Sequence, residues 1–358
     1  MSARPHAGRR VRAWLAICAA TGALALAVAP SAAAGLLGPH GSAAERALAV
    51  RLRPRLLFDR NERWRPLEVG AFLAEGFPDG SGHRACWDGG MRPCEPLDPA
   101  RLRPGPGAPD YIDIHGDGDN GVDYRSPLRA CRRGVAVDCN SGPQTAIYYR
   151  RSSHAGRWYW DYWWFFRYND YPGAIVGACI PLYCGDHEGD WEGVTVVTTA
   201  QSLPAILAVT YAAHRERVEV STAAVAKVSG RPLVFVAEGT HASYPFRCTS
   251  DCKENATFLG VHLLPEGTHD GAVTWGGDST HECAIYECVR PLPELGETGE
   301  SAPPRAGGWA GWHGAWGDTC HGGCDSPLDQ GSPTSPGTQP RYERPWAPTR
   351  RVSSLAEL

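Results

Sequence analysis

An aromatic run constrains this chain more than any other feature of its sequence. Between Trp158 and Tyr168, nearly every residue is aromatic. In an extended chain, alternate side chains face opposite sides, so Trp160 and Trp164 share one face while Trp163 and Phe165 share the other. Both faces are therefore apolar, which predicts a central strand covered on both sides. The alternative is an aromatic platform that binds sugars or lipid headgroups.

Most of the remaining chain is typical of short strands separated by turns. The predicted strands are Ala146–Tyr149, Trp158–Arg167, Gly193–Thr199, Ala205–Tyr211, Val218–Ser221, Leu233–Ala237 and Phe258–Leu264. Two short helices are predicted, one over Glu45–Arg53 before Pro54 and one over Pro66–Glu75. Together these patterns predict a mainly β fold, an antiparallel β-sandwich with few short helices and long disulfide-pinned loops.

The N-terminus has the composition of a targeting segment. Arginines precede an apolar run over Ala13–Ala29, and Ala32-Ala33-Ala34 supplies small residues for cleavage. We therefore expect residues 1–34 to be a signal peptide, with a retained N-terminal anchor as the alternative. Residues 35–57 would form an N-terminal segment with a short helix, and 58–325 a single β-sandwich domain. Residues 326–358 are rich in Ser, Pro, Gly and Arg, which predicts a disordered tail.

Charge argues against nucleic acid as a partner. The whole chain carries 35 basic and 39 acidic residues, a net charge of −4. Removing residues 1–34 removes four arginines and no acid, and 31 − 39 gives −8 for the mature chain. An acidic exported protein without a transmembrane span is the expected product.

The cysteines are consistent with export. Apart from Cys18 in the leader, twelve cysteines fall into six close pairs: Cys86 with Cys94, Cys131 with Cys139, Cys179 with Cys184, Cys248 with Cys252, Cys283 with Cys288, and Cys320 with Cys324. Six local disulfides in an oxidising compartment are the prediction, each stabilising the fold by roughly 2 kcal/mol. A zinc–thiolate site is the alternative, and spacing alone does not prove the connectivity.

The motif His187-Glu188-Gly189-Asp190-Trp191-Glu192 predicts a metal site. Asp190 and Glu192 share one face if the segment is extended, and His187 could turn toward that face. Two neighbouring carboxylates repel unless a cation or a shared proton lies between them. A divalent cation with an imidazole as a further ligand is the simplest solution, and a solvated strand start is the alternative.

Other polar groups lie at predicted strand ends. His241 follows a strand through Glu238-Gly239-Thr240 and could join the site or be a hydrogen-bonded structural histidine. Asp170 lies in the turn that ends the aromatic run. Asp113–Asp123 is an acidic turn with calcium-loop composition but without EF-hand spacing, and a solvated turn is the preferred interpretation. Asn255-Ala256-Thr257 is a glycosylation sequon.

Five motifs in fixed order resemble the vacuolar protein sorting-associated protein 62 family, from about Phe58 to Asp318. They are Asn61-Glu62-Arg63-Trp64-Arg65-Pro66-Leu67-Glu68-Val69 followed by Phe72-Leu73, the run from Tyr162 to Asn169, the His187–Glu192 motif, Gly239-Thr240-His241-Ala242-Ser243-Tyr244-Pro245 and Trp312-His313-Gly314-Ala315-Trp316-Gly317. The resemblance implies no particular activity, because that family largely lacks one.

The pattern His-x-x-Asp-Trp-Glu is also distantly similar to the necrosis-inducing cytolysins. Those proteins are secreted β-sandwiches that hold a divalent cation and bind sphingolipid sugar headgroups. The resemblance implies that His187, Asp190 and Glu192 bind metal, that His241 lines the same pocket, and that Asp170 supplies a further acidic ligand. Glu188-Gly189 stands where the cytolysins carry a basic residue and a second histidine.

Three functional hypotheses follow. The first is a secreted protein that recognises a glycan or lipid headgroup through a calcium, magnesium, manganese or zinc ion. The second is a metal-dependent hydrolase of phosphoesters or glycoconjugates, with Glu188 or His241 as general base. The third is an extracellular domain with a purely structural cation. The first is preferred because no nucleophile elbow, phosphate loop or zinc-protease helix motif is present in the sequence.

Overall fold

A computed structural model describes residues 39–62, 64–74, 82–87, 93–113, 146–169, 187–213, 216–250, 252, 257–258, 261–262, 268–269, 271–275, 289–292, 308–317 and 332–358. Several predictions of the sequence lie outside these residues. They are the signal peptide, Asp170, the acidic turn beyond Asp113, the sequon's Asn255, and four of the cysteine pairs: Cys131 with Cys139, Cys179 with Cys184, Cys283 with Cys288, and Cys320 with Cys324.

The described chain is mainly β, as the sequence predicts. Its strands are β1 (Arg55–Phe58), β2 (Arg84–Cys86), β3 (Glu95–Pro96), β4 (Tyr111–Asp113), β5 (Ile147–His154), β6 (Arg157–Asn169), β7 (His187–Thr199), β8 (Ile206–Ala213), β9 (Glu216–Ser221), β10 (Lys227–Val228), β11 (Arg231–Val236), β12 (Ser243–Tyr244), β13 (Thr257–Phe258), β14 (Val261–His262), β15 (Val273–Trp275), β16 (Val289–Pro291) and β17 (Arg350–Val352). Its helices are α1 (Ala43–Leu52), α2 (Val69–Leu73) and α3 (Pro340–Glu343). Helices α1 and α2 confirm the two predicted short helices.

Two sheets form the sandwich. The larger sheet has the order β16-β5-β6-β7-β8-β9-β17, and the smaller one β10-β11-β1-β15 with β12 beside β11. Most neighbours are antiparallel, but β1 and β11, β5 and β16, and β9 and β17 run parallel. Smaller sheets β3-β2-β4 and β13-β14 accompany them.

The aromatic run forms the centre of the larger sheet. Every residue of β6 after Arg157 is buried, so the central-strand prediction is confirmed and the exposed platform is not. On one face, Phe166 meets Phe58 of the smaller sheet, with ring centroids 6.3 Å apart. On the other face, Phe165 packs on Trp316, with centroids 5.0 Å apart. Both covers keep water away from the strand, which is where the hydrophobic stabilisation arises.

The C-terminal segment is structured, in contrast to the predicted disordered tail. Residues 332–358 include α3 and β17, and β17 pairs with β9. Trp346 stacks on His154 with centroids 4.6 Å apart, and Tyr342 is buried. A few aromatic and arginine anchors order this segment despite its Ser/Pro/Gly-rich composition, because composition averages do not reveal specific packing sites.

Two disulfides are present in the described part of the chain, Cys86–Cys94 and Cys248–Cys252. Both match the predicted local pairing, and the four pairs outside the described residues stay predictions. No helix in the described residues combines the length and apolar character needed to cross a bilayer.

Candidate metal centre

The motif His187–Glu192 is itself part of strand β7, which begins six residues earlier than predicted. Asp190 pairs with Phe166 of β6, and Glu192 pairs with Trp164. Gly189 has φ +55°, and a Cβ at this position would overlap the carbonyl oxygen of Trp316. Glycine is therefore required here, both for the left-handed backbone and for the close approach of Trp316.

His187 turns back onto its own backbone. Its Nδ1 lies 3.2 Å from the carbonyl oxygen of Glu188 and 3.1 Å from that of Gly189. Because carbonyl oxygens only accept, Nδ1 carries a proton, and in the neutral ring Nε2 is then the nitrogen with the lone pair. No described residue binds its Nε2, and the residue is 7 % exposed. This is the arrangement in which a histidine can ligate a metal through Nε2.

His241 is brought to Asp190 from 51 residues away in the sequence. It follows β11 in a tight turn and has φ +56°, an uncommon backbone conformation for a residue other than glycine. Its ring is fully buried and stacks on Phe166, with centroids 3.7 Å apart and planes 7° apart. Its Nδ1 lies 2.9 Å from Oδ2 of Asp190, so the predicted association of these two residues is present in the fold.

Glu62 completes the cluster, and sequence reasoning assigned it no role. Its Oε1 lies 3.5 Å from Nε2 of His241 and accepts the Trp64 N–H at 2.6 Å. Its Oε2 accepts the Gly239 N–H at 2.6 Å. Glu62 follows β1, and β1 runs parallel to β11, so the ends of both strands meet at one edge. Only that pairing, which local patterns do not reveal, could have indicated it.

Electrostatics make this a tightly coupled site. Burial alone would lower the pKa of His241, but Glu62 and Asp190 outweigh it and raise that pKa to about 9. Burial alone would raise the pKa of Glu62. His241, the Gly239 N–H and Arg65 together lower that pKa by more than burial raises it, so the net shift is downward. With no metal, the cluster is a buried imidazolium between two carboxylates, with a net charge of −1.

The two other candidate residues in this motif, Glu192 and Glu188, have different surroundings from Asp190. Glu192 is partly exposed, and its charge acts on Arg341. Glu188 is fully buried, and its Cβ is packed so closely against Gly317 that a side chain at 317 would overlap it. The structure therefore brings Asp190 and His241 together, with Glu62 at the other nitrogen of the His241 ring. Among the described residues, no three ligand atoms from His187, Glu192 and these residues lie within 4.8 Å of one another.

The distance between Asp190 and His241 can be compared with the spacing of ligand atoms around a bound cation. In an octahedral site with bonds of about 2.1 Å, neighbouring ligand atoms are roughly 3 Å apart. The 2.9 Å between Asp190 Oδ2 and His241 Nδ1 fits two such neighbours. Among the described residues, a group of three ligand atoms within 4.8 Å occurs at Cys86, Cys94 and Asp113. Those cysteines form a disulfide, so they offer no thiolate while oxidised.

No protein-family profile matches the chain, and no curated protein matches it. The resemblance to the vacuolar protein sorting-associated protein 62 family is therefore unsupported.

The solved structures that are similar include necrosis-inducing toxins. One, described as a toxin fold for microbial attack and plant defense, is 17 % identical over 55 % of this chain and 64 % of its own, with a TM-score of 0.30. The protein NLPPya in complex with mannosamine is 17 % identical over 55 % and 63 %, with a TM-score of 0.29. Necrosis and ethylene inducing protein 2, from the causal agent of cocoa's witches' broom disease, is 14 % identical over 55 % and 63 %, with a TM-score of 0.27. The chain thus spans less than two thirds of each, and likenesses at this level assign no function.

Proposed function

We propose that this chain is a secreted β-sandwich protein that holds a divalent cation and uses it to recognise a glycan or lipid headgroup. The observation that carries the proposal is the contact between Asp190 and His241, whose ligand atoms lie 2.9 Å apart at the edge of the sandwich. The predicted metal motif His187–Glu192 and the histidine that was expected either to join it or to be structural are in contact there. A bound cation would supply open coordination positions for sugar hydroxyl or phosphate oxygens.

Charge favours a cation at this position. Asp190 and Glu62 are both buried, and with a neutral His241 they would carry a charge of −2 between them. Isolated buried charges are costly, so they need either a proton on His241 or a metal ion. A divalent cation neutralises the pair completely, whereas a proton on His241 neutralises half of it.

Further ligands belong to the same proposal. His187 would contribute Nε2, because its Nδ1 is directed to backbone carbonyls. Glu192 and Asp170 would contribute carboxylate oxygens. A mixed set of imidazole and carboxylate ligands is compatible with manganese, zinc, calcium or magnesium.

Secretion is part of the proposal. Disulfides persist in oxidising compartments, and Cys86–Cys94 and Cys248–Cys252 join cysteines that are 8 and 4 residues apart. Reducing cytosol would keep such cysteines as thiols.

The hydrolase alternative receives less support than recognition. Glu188 and His241, the two candidate general bases, are both 0 % exposed. A general base must lie within hydrogen-bond reach of the proton that it removes, directly or through one water. The same burial favours a purely structural cation as the second candidate, which the following experiment separates from recognition.

The experiment measures binding to a glycan array and to liposomes that contain glycosylated sphingolipids. The disulfide-intact chain is stripped with EDTA and then restored with each of the four cations. We expect binding to be lost on stripping, to return with at least one cation, and to be absent in Asp190→Asn and His241→Asn.

Matched controls are available on the surface. Asp98→Asn replaces an exposed aspartate, and His313→Asn an exposed histidine. Both should bind like wild type. A protein that takes up a cation but binds every glycan and liposome equally well with EDTA, or binds none of them, has a structural cation, and the proposed recognition function is then wrong.

A further inference from the structure

Polar side chains lie on the face of the larger sheet that the C-terminal segment covers. Asp161 of β6 and Thr195 of β7 are paired there, and both are fully buried. The Thr195 hydroxyl donates to Asp161 Oδ1 at 2.5 Å. The next residues along these strands on the same face are Trp163 and Gly193, which are also paired. A buried carboxylate therefore lies beside an indole, about 6.6 Å away along the strand.

Arg341 of α3 brings a guanidinium onto this face. Its Cζ lies 3.4 Å from the ring centroid of Trp163. A Cβ built on Gly193 would lie 2.6 Å from Nη2 and 3.0 Å from Nη1, so both Nη atoms lie beside the backbone of β7. Burial raises the pKa of Asp161 to about 6 and lowers that of Arg341 to about 9, and each residue is the strongest charge opposing the shift of the other. The guanidinium and the carboxylate are therefore buried neighbours.

The Arg341 guanidinium has no hydrogen-bond partner in the described part of the chain. Arg341 is 4 % exposed, yet its Nε, Nη1 and Nη2 all lack a described acceptor. Asp161 Oδ2 likewise lacks a described donor. Among the described residues, no ion pair within 4.0 Å joins Asp161 to Arg341. Buried polar groups are normally paired with protein, ordered water or an ion, so these groups indicate a bound partner between them.

Hydrogen-bond donors and positive charge both predominate around this pair. Arg341 has about five N–H groups to satisfy, and Nε of Arg217 is a further buried donor without a described partner, against one such acceptor, Asp161 Oδ2. The charges that act on the pair belong to three arginines and two acids: Arg150, Arg217, Arg341, Asp161 and Glu192. These charges leave a net charge of +1. A ligand that only accepts hydrogen bonds and carries one negative charge matches both excesses.

We propose that the Arg341 guanidinium binds a chloride-sized monovalent anion between the C-terminal segment and the larger sheet. A halide ion can accept several N–H groups at once, and a guanidinium presents its N–H groups in one plane. A small ion is favoured over a larger oxyanion because both Arg341 and Asp161 are almost completely buried. The bound ion would fasten the segment to the sheet, since its main donor belongs to α3.

This anion site is separate from the candidate metal centre. Trp163 and Phe166 have side chains on opposite faces of β6, because successive side chains of a strand alternate between its faces. Phe166 stacks on His241, whereas Trp163 lies under Arg341. The proposal therefore goes beyond the proposed function, and its test can be run with EDTA present.

The test follows the width of the chloride NMR signal while the disulfide-intact chain is titrated with sodium chloride in EDTA at neutral pH. A chloride ion bound to a slowly tumbling protein relaxes quickly, so saturable excess broadening reports binding. We expect such broadening for wild type and its loss in Arg341→Gln, which removes the guanidinium. Asp161→Asn should bind chloride about tenfold more tightly, because it removes a like charge beside the ion.

Arg351→Gln is the matched control, since Arg351 belongs to the same segment and its side chain is 62 % exposed. It should bind chloride like wild type. Asp161→Asn keeps the proposal falsifiable where Arg341→Gln loosens the C-terminal segment, because asparagine and aspartate are similar in size. Absence of saturable broadening in wild type overturns the proposal, and so does broadening that persists in Arg341→Gln. Equal or weaker binding by Asp161→Asn also overturns it, because ordered water rather than an anion would then join the two groups.

Discussion

At the residue scale, the fate of one proton decides the state of the candidate metal centre. His241 lies between Asp190 Oδ2 at 2.9 Å and Glu62 Oε1 at 3.5 Å. A proton on its ring and a cation beside its ring would each neutralise charge on the same two carboxylates, so proton binding and cation binding compete. In metal-free protein, the proton should dominate at neutral pH.

The pH dependence of stability tests this arrangement. The pKa of His241 is about 9 in the fold, against an ordinary value of 6.5. The raised pKa stabilises the fold fully below pH 6.5, and this contribution is lost as pH rises to about 9. At about 1.36 kcal/mol per pKa unit, the loss is about 3 kcal/mol. Denaturant unfolding of EDTA-treated protein between about pH 6 and 9 measures it.

Variants identify the group that titrates. His241→Asn should be less stable at about pH 6 and show a flat profile over the same window, since asparagine tolerates the φ of +56°. His313→Asn, at an exposed position, should keep the wild-type slope. A wild-type profile without a decline, or the same decline in His241→Asn, would show that the cluster does not hold this proton.

At the element scale, the C-terminal segment is attached to the sheet through a gap in strand β7. Gly193 pairs with Trp163 of β6, and the absence of a side chain there lets Arg341 lie over the indole, 3.4 Å from its centroid. Burial lowers the pKa of Arg341 to about 9, although Asp161 and Glu192 oppose that shift. Burial raises the pKa of Asp161 to about 6, which Arg341 and Thr195 oppose.

Filling the gap should detach the segment. In Gly193→Ala, the new Cβ would overlap the carbonyl oxygen of Tyr162 and lie 2.6 Å from Nη2 of Arg341. Overpacking of this kind and loss of the cation–π contact together should cost about 3 kcal/mol. Thermal unfolding measures the loss, and limited proteolysis after residue 331 should become faster.

A second glycine separates overlap from backbone strain. Gly230 has φ +77° and open space where a Cβ would be added, so Gly230→Ala tests strain without overlap. It should be less destabilising and leave proteolysis of the C-terminal segment unchanged. Equal effects of both substitutions would mean that Arg341 does not depend on the gap.

Element existence was predictable from sequence, whereas element limits were not. Periodic apolar patterning correctly indicated β6, β8, β9 and β11. Strand β7 was expected to begin at Gly193, because the six residues before it are mostly polar or glycine. Those residues are strand because the edge of β6, reaching Asn169, offers them a hydrogen-bonding partner. That is a tertiary influence that local propensity does not contain.

At the scale of the whole molecule, the two faces of the larger sheet have different covers. The smaller sheet and α1 cover one face, and Tyr162 donates to the Ala49 carbonyl oxygen at 2.8 Å. Residues 308–317 and the C-terminal segment cover the other, with Arg150 donating to the Tyr342 carbonyl oxygen at 2.6 Å. The β-sandwich was predictable from the pattern of apolar residues in the strands. The cover formed by residues 308–317 and the C-terminal segment was not, because it depends on a few anchor residues in segments of low-complexity sequence.

The candidate site also combines residues that could be predicted from the sequence with one that could not. Asp190 and His241 could be chosen from sequence because each has a ligand-type side chain next to a strand signal, which Asp190 precedes and His241 follows. Glu62 could not, because its role depends on the parallel pairing of β1 with β11, which lie far apart in the sequence. Sequence patterns therefore identify donors along the chain, and topology decides which donors meet.

The central claim, that Asp190 and His241 hold a divalent cation, is tested most directly by titrating EDTA-stripped protein with manganese and following the free ion by electron paramagnetic resonance. We predict one bound manganese ion per chain, with nitrogen modulation from imidazole, and loss of that ion in Asp190→Asn but not in Asp98→Asn. An absence of stoichiometric binding, or equal binding by Asp190→Asn and wild type, would contradict the account.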